Sequence, residues 1–186
     1  MCPDDSLFAL FDDLEQQAAG LHLAEREAEV EELAVAEYAQ VTLVGRFHAA
    51  RGADLRLRLV DGGVLGGTLR RVGRDWLQLD DPQGGGWLVP IAAVAAVSGL
   101  GARAVSEEAL PITARLSLKS AFRALAEARG ECVLQLVGGD RVEGVPRRVG
   151  QDFVELIPVG PAAERAPNRG VQVVPLAALV SVRERR

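Results

Sequence analysis

Cysteine, histidine and lysine are nearly missing from this chain. Its 186 residues include two cysteines (Cys2 and Cys132), two histidines (His22 and His48) and one lysine, Lys119. No Cys-x-x-Cys, His-Glu-x-x-His or mixed Cys/His cluster can be drawn from four residues so far apart, so a zinc site would rest mostly on carboxylates, which zinc seldom uses alone. Phosphate-loop or Schiff-base chemistry has only Lys119, in a helix-like stretch with no Gly-rich loop before it. Apolar runs fall short of the roughly 18 residues that a spanning helix needs, and the opening Met-Cys-Pro-Asp-Asp carries no basic leader. These absences predict a cytoplasmic, non-enzymatic chain with no cofactor, no metal, no small-molecule substrate and no membrane, its cysteines kept as thiols. Cys132, inside an alternating apolar run, reads as a small core residue.

What is present is an ordinary globular composition, 48% apolar and 25% charged, with 20 glycines and 9 prolines. The charge is bipolar. Residues 1–40 hold 11 acidic side chains against Arg26 alone, whereas the remainder holds 15 acidic and 20 basic ones. Within the acidic part, Leu7, Leu10, Phe11 and Leu14 recur at helical spacing and predict an amphipathic helix with an apolar stripe for a partner. Asp4, Asp5 and Ser6 suit its N-terminus. A second helical stretch is predicted from about Ala24 to Ala50, closed by Arg51-Gly52. An acidic arm laid over the basic remainder would compete with nucleic acid there, and deleting residues 1–36 would then raise nucleic-acid affinity.

The sequence also repeats itself. A shift of 77 residues lays Leu59–Leu79 on Leu136–Leu156 without a gap, with ten of 21 pairs identical, among them Gly67/Gly144, Arg70/Arg147, Arg71/Arg148 and Asp75/Asp152. A shift of 78 pairs Arg51-Gly52 with Arg129-Gly130, and one of 85 pairs Val89-Pro90 with Val174-Pro175. Each copy reads as one helix and several strands. Leu55, Leu57 and Leu59 alternate with Arg56 and Arg58, so one face of that strand is buried and the other carries guanidinium groups. Asp61-Gly62-Gly63 is a turn, and strands follow at Val64–Val72, Trp76–Leu79, Gly86–Val89 and Val94–Ser98. Gly66 and Gly67 in mid-strand predict a sharp bend.

This order of helix, strand, Asp-Gly, Gly-x-Leu, short turn with Asp and an aromatic, and final apolar strand pair resembles the Sm-like fold of Sm, LSm and Hfq proteins. Leu57, Leu59, Asp61-Gly62, Gly67 and Leu69 carry the likeness in the first copy, Gly139 and Gly144 in the second. The chain departs from the pattern at Val89-Pro90 and Val174-Pro175, where Hfq-like proteins carry Lys-His, and it lacks the Arg-Gly of the eukaryotic second motif. The resemblance implies a mainly β protein with helices (α+β): two tandem Sm-like or SH3-like five-stranded small barrels, each preceded by a helix, behind an acidic helical arm. The corresponding divisions are 1–38 for the arm, 39–98 and 116–186 for the two helix-plus-barrel units, and 99–115 for a linker. A chain with two such copies also resembles actinobacterial proteins, a likeness that implies no particular activity. The family implies RNA as a ligand and self-association through edge strands.

Two readings of function follow. In the first, Arg70, Arg71, Arg74 and Trp76, with Arg147, Arg148 and Phe153, bind nucleic acid, the arginines on phosphates and the aromatics on bases. Strand neighbours point to opposite faces, so each Arg-Arg pair makes one patch only if the strand has ended. Trp76 and Phe153 equally suit a structural role under a helix. In the second, the chain is a protein-interaction adaptor or scaffold that uses barrel edges and the N-terminal helix, without nucleic acid. Gly62–Thr68 is not a phosphate loop, because no Lys follows its last Gly. His48 has Ala126 at its repeat equivalent and reads as a partly buried helix residue rather than a ligand or catalytic group, which would need a positioned partner.

Overall fold

A computed structural model describes residues 22, 26, 29–160 and 170–185. The predicted partner-binding stripe of Leu7, Leu10, Phe11 and Leu14 lies outside them. The chain divides into two units, Met1–Val41 and Thr42–Arg186. In the first, residues 29–39 are helical (α1), and every side chain from 29 to 40 is exposed. No helix among the described residues is long and apolar enough to cross a membrane.

The single helix predicted over about 24–50 is interrupted. Thr42 takes an extended conformation and its Oγ1 accepts a 3.0 Å hydrogen bond from the Gly45 N–H, so a new helix, α2 (Leu43–Ala49), begins there. A threonine at this position satisfies one of the otherwise orphaned N–H groups of the first turn. Phe47 is fully buried and anchors α2 on the strands below. Gly52 (φ +85°) lets the chain turn back after the helix.

Ten strands follow among the described residues. β1 (Asp54–Leu59), β2 (Val64–Val72), β3 (Trp76–Asp80), β4 (Gly86–Pro90) and β5 (Val94–Ser98) come before α3 (Leu118–Glu127). β6 (Cys132–Leu136), β7 (Arg141–Val149), β8 (Phe153–Pro158), β9 (Gln172–Pro175) and β10 (Leu179–Glu184) come after it. Alternation in β1 is complete, with Leu55, Leu57 and Leu59 buried and Asp54, Arg56 and Arg58 exposed. At the hairpin, Asp61 Oδ1 accepts from the Gly63 N–H at 2.9 Å, a turn built by its own side chain. The bend belongs to Gly67 rather than Gly66. A Cβ on Gly67 would press on the Asp80 carbonyl oxygen, and one on Gly144 would stand 2.7 Å from that of Ile157, whereas Gly66 has room for one.

The result is a mixed α+β fold with one antiparallel sheet, in the order β5-β1-β2-β3-β4-β10-β6-β7-β8-β9. Each half contributes five strands to this one open sheet, which does not divide clearly into the two closed five-stranded barrels expected. The ladder passes from the first half to the second through β4 and β10, at Leu88↔Val182 and Trp87↔Arg183. The two cores are correspondingly interlocked. One gathers Phe47, Leu57, Leu69, Leu77, Leu79 and Val89, yet includes Val180 from the last strand. The other gathers Phe122, Leu134, Val154, Leu156 and Val174, yet includes Trp76 from β3. Residues 99–115, read as a linker, contain two short 3-10 turns, Glu107–Ala109 and Ile112–Arg115. They are tied to α2 where the Val105 N–H donates to the Gly45 carbonyl at 3.0 Å and Arg46 Nη2 donates to the Gly101 carbonyl at 2.8 Å.

Candidate nucleic-acid interface

The arginine pairs sit on β-bulges. In the β2–β3 ladder Leu69 pairs with Leu79 and Arg71 with Gln78, so Arg70 is an extra residue with no partner position. In the β7–β8 ladder Pro146 pairs with Leu156 and Arg148 with Glu155, leaving Arg147 as the extra residue. An inserted residue breaks the two-residue period and turns its strand. Arg70 and Arg71 are therefore both exposed, and so are Arg147 and Arg148. The expectation that strand neighbours must face opposite ways fails at these two places. The signal was in the sequence: Leu69-Arg-Arg-Val72 and Pro146-Arg-Arg-Val149 separate their inward residues by three positions, an odd step that a regular strand cannot take.

The charges on these arginines are largely free. Arg70 Nε is 4.0 Å from Asp80 Oδ2, both side chains being exposed, a pair worth about 0.5 kcal/mol or less. Arg71 Nη1 donates to Gln78 Oε1 at 3.4 Å. Among the described residues Arg147 and Arg148 form no ion pair. Arg74 is exposed in the β2–β3 turn, its backbone N–H donating to the Leu116 carbonyl at 2.9 Å.

The two aromatics diverge. Trp76 is 8% exposed, belongs to the second core, and spends its Nε1–H on the Leu116 carbonyl at 2.9 Å. It is a structural pin rather than an open stacking surface. Phe153 is half-buried above Gly150, where a Cβ would collide with its ring, as one on Gly73 would collide with Trp76. Asp75, beside Trp76, accepts the Leu118 N–H on Oδ1 at 2.7 Å and so caps α3 from the other half of the sheet. Sequence reasoning missed this role, because the donor lies 43 positions away.

A cleft of about 990 Å³ opens beside Arg71, lined also by Arg51, Gln78, Asp80 and Glu184 and walled by Ser120 and Ala124 of α3. His48 reaches it from α2. It is 8% exposed, its Nε2 is buried without a hydrogen-bond partner, and burial, then the neighbouring Arg51 charge, lower its pKa. The imidazole is thus neutral near pH 7. Burial, aided by the Glu184 charge, pushes the Cys132 thiol up to about 12, and its S–H donates to the Gly144 carbonyl at 3.4 Å, so it is an inert core group. No group of three or more His, Cys, Asp or Glu among the described residues could hold a metal ion.

The chain matches no protein-family model and no curated protein.

Proposed function

We propose that this chain is a non-enzymatic, cytoplasmic nucleic-acid-binding module. Its two halves are variants of the Sm-like small barrel, and the bulged arginine pairs Arg70-Arg71 and Arg147-Arg148 are its phosphate contacts. The observation that carries this reading is the placement of the same irregularity at equivalent positions of β2 and β7, each projecting two adjacent guanidinium groups into solvent. A bulge costs ladder hydrogen bonds, and at a surface where, among the described residues, only the exposed Arg70–Asp80 pair offsets the charge, its use is to aim those side chains outward. Arginine forks pair bidentately with phosphate, and four of them on one chain give affinity that falls steeply with salt. Arg74 adds a fifth charge beside the first pair. Trp76 contributes by holding that turn, and Phe153 supplies a partly open ring beside the second pair.

Brief crosslinking in the source cells, followed by recovery of the protein and separate sequencing of RNA and identification of proteins, tests the reading. A reproducible RNA set, lost when Arg70, Arg71, Arg147 and Arg148 are replaced by Glu, is the expected result. Stoichiometric protein partners without RNA above background would overturn it in favour of an adaptor. That second reading draws on one observation of its own, the exposed apolar side chains of Ile157, Val171 and Val173 along the β8–β9 edge.

A further inference from the structure

The corner that seats the start of α3 is built twice and filled once. In the first half, Asp75 Oδ1 accepts the Leu118 N–H at 2.7 Å, and the Leu116 carbonyl accepts both the Arg74 N–H and the Trp76 Nε1–H at 2.9 Å. Ser117, at the head of that helix, makes no capping bond of its own and leaves the task to Asp75. The repeat sets Gln151, Asp152 and Phe153 at the positions of Arg74, Asp75 and Trp76, and the two turns close alike, the Gly73 N–H on the Trp76 carbonyl and the Gly150 N–H on the Phe153 carbonyl. Yet the Gln151 N–H and the Asp152 carboxylate make no hydrogen bond among the described residues.

Burial follows the missing cover. Trp76 and its ladder partner Pro90 are buried, whereas Phe153 is half-buried and its partner Pro175 is exposed. Leu88 packs on the second core, whereas Val173, its counterpart by the shift of 85 residues, is 56% exposed. An uncovered apolar corner beside an unused capping carboxylate suits the first turn of a helix.

The sequence offers three such starts. Ser or Thr, then Leu, then Phe four positions on, recur as Thr42-Leu43 with Phe47, Ser117-Leu118 with Phe122, and Ser6-Leu7 with Phe11. The first two lead α2 and α3. The start of α2 is already occupied, since Thr42 caps it and its Gly45 carbonyl accepts the Val105 N–H. The third start lies in the acidic arm, outside the described residues, and its likeness to α3 continues at Leu14, in the place of Leu125.

We infer that the corner of Asp152 and Phe153 receives residues 6–14 of the chain's own acidic arm, in the register that α3 shows on Asp75 and Trp76. That register puts Leu7 in the place of Leu118, its N–H toward Asp152, and Leu10 in the place of Ala121. Leu88 and Ala121 line one cleft in the first half, and Val173 with Leu10 exchanges the larger and the smaller member of that pair. Charge agrees with the fit. Leu116 and Ala124 share the cleft with Arg71; their places fall to Asp5 and Asp13, and that of Arg71 to Arg148, which forms no ion pair among the described residues. Opposite charges so arranged set the direction in which the segment lies.

The test uses the full chain and no nucleic acid. Cys2, four residues ahead of Ser6, takes a nitroxide spin label, because Cys132 is buried and its thiol stays protonated at neutral pH. The amide NMR signals of Gly150, Asp152 and Val173 are expected to be lost to paramagnetic broadening and to return when the label is reduced, with a smaller loss for Gly73, Asp75 and Leu88 at the filled corner. Leu10→Glu adds negative charge to the arm, so a merely electrostatic attraction to the basic surface survives it, whereas the seated segment is expected to leave and the signals to be restored. Asp152→Ala, at an exposed site and with an unchanged thermal midpoint, is expected to reduce the broadening as well. Signals at Asp152 and Val173 untouched by the label, broadening spread evenly over the exposed arginines, or broadening that survives Leu10→Glu would each overturn the inference.

Discussion

Arg183 of β10 holds its guanidinium carbon 4.9 Å from the centroid of the Trp87 ring in β4, across the junction where the two halves of the sheet meet. Its Nη2 also lies 3.5 Å from Asp81 Oδ2 and 3.4 Å from the Gly84 carbonyl. One side chain from the end of the sequence thus closes over the β3–β4 hairpin. The aromatic face attracts the cation, and partial shelter from water strengthens that attraction.

Breaking this contact is expected to loosen the whole second unit, because the two cores share residues across the junction. Arg183→Ala and Trp87→Ala each lower stability, and a double-mutant cycle read by urea denaturation gives a coupling of about 1 kcal/mol. Additive single effects would mean that the ring and the cation do not interact.

The two adjacent glycines of β2 are expected to respond in opposite ways. Gly67→Ala forces a methyl group against the Asp80 carbonyl and destabilises by about 2 kcal/mol or more, whereas Gly66→Ala makes only an ordinary van der Waals contact with the Leu55 carbonyl oxygen and gains about 0.5 kcal/mol from a stiffer unfolded chain. Urea midpoints for the two variants distinguish them directly.

Strand limits were legible because alternation and Gly-containing turns are local: Val64–Val72 and Val94–Ser98 stand where the pattern placed them, and Trp76–Asp80 and Gly86–Pro90 extend one residue further. Longer-range features were not. Pairing of β4 with β10 joins residues 94 to 96 positions apart, and no periodicity chooses between that contact and a closed first half. The Asp75 cap and the Trp76 pin depend on where α3 docks, and the break at Thr42 shows a cap overriding a helical pattern that continues through it. The bulges lie between these cases, visible in hindsight as a three-residue step between inward side chains.

His48 makes stability depend on pH on the acid side. Its pKa in the folded chain is lowered, so between that value and the ordinary 6.5 the unfolded chain binds more protons than the folded one, and stability falls as pH drops through this window. Thermal midpoints measured from pH 8 down to pH 5 are expected to decline, with a shallower decline in His48→Leu, which removes both the titrating group and the unpartnered Nε2. Equal slopes would show that other groups set the acid limb.

The proposed binding of nucleic acid by the bulged arginine pairs is tested most directly by a salt titration of affinity for a fluorescent single-stranded RNA. Binding is expected at about 50 mM salt, weakening linearly in log–log form by about 0.7 in slope for each phosphate neutralised, and disappearing when Arg70, Arg71, Arg147 and Arg148 are replaced by Glu. No binding at low salt, or equal affinity in the fourfold variant, would contradict it.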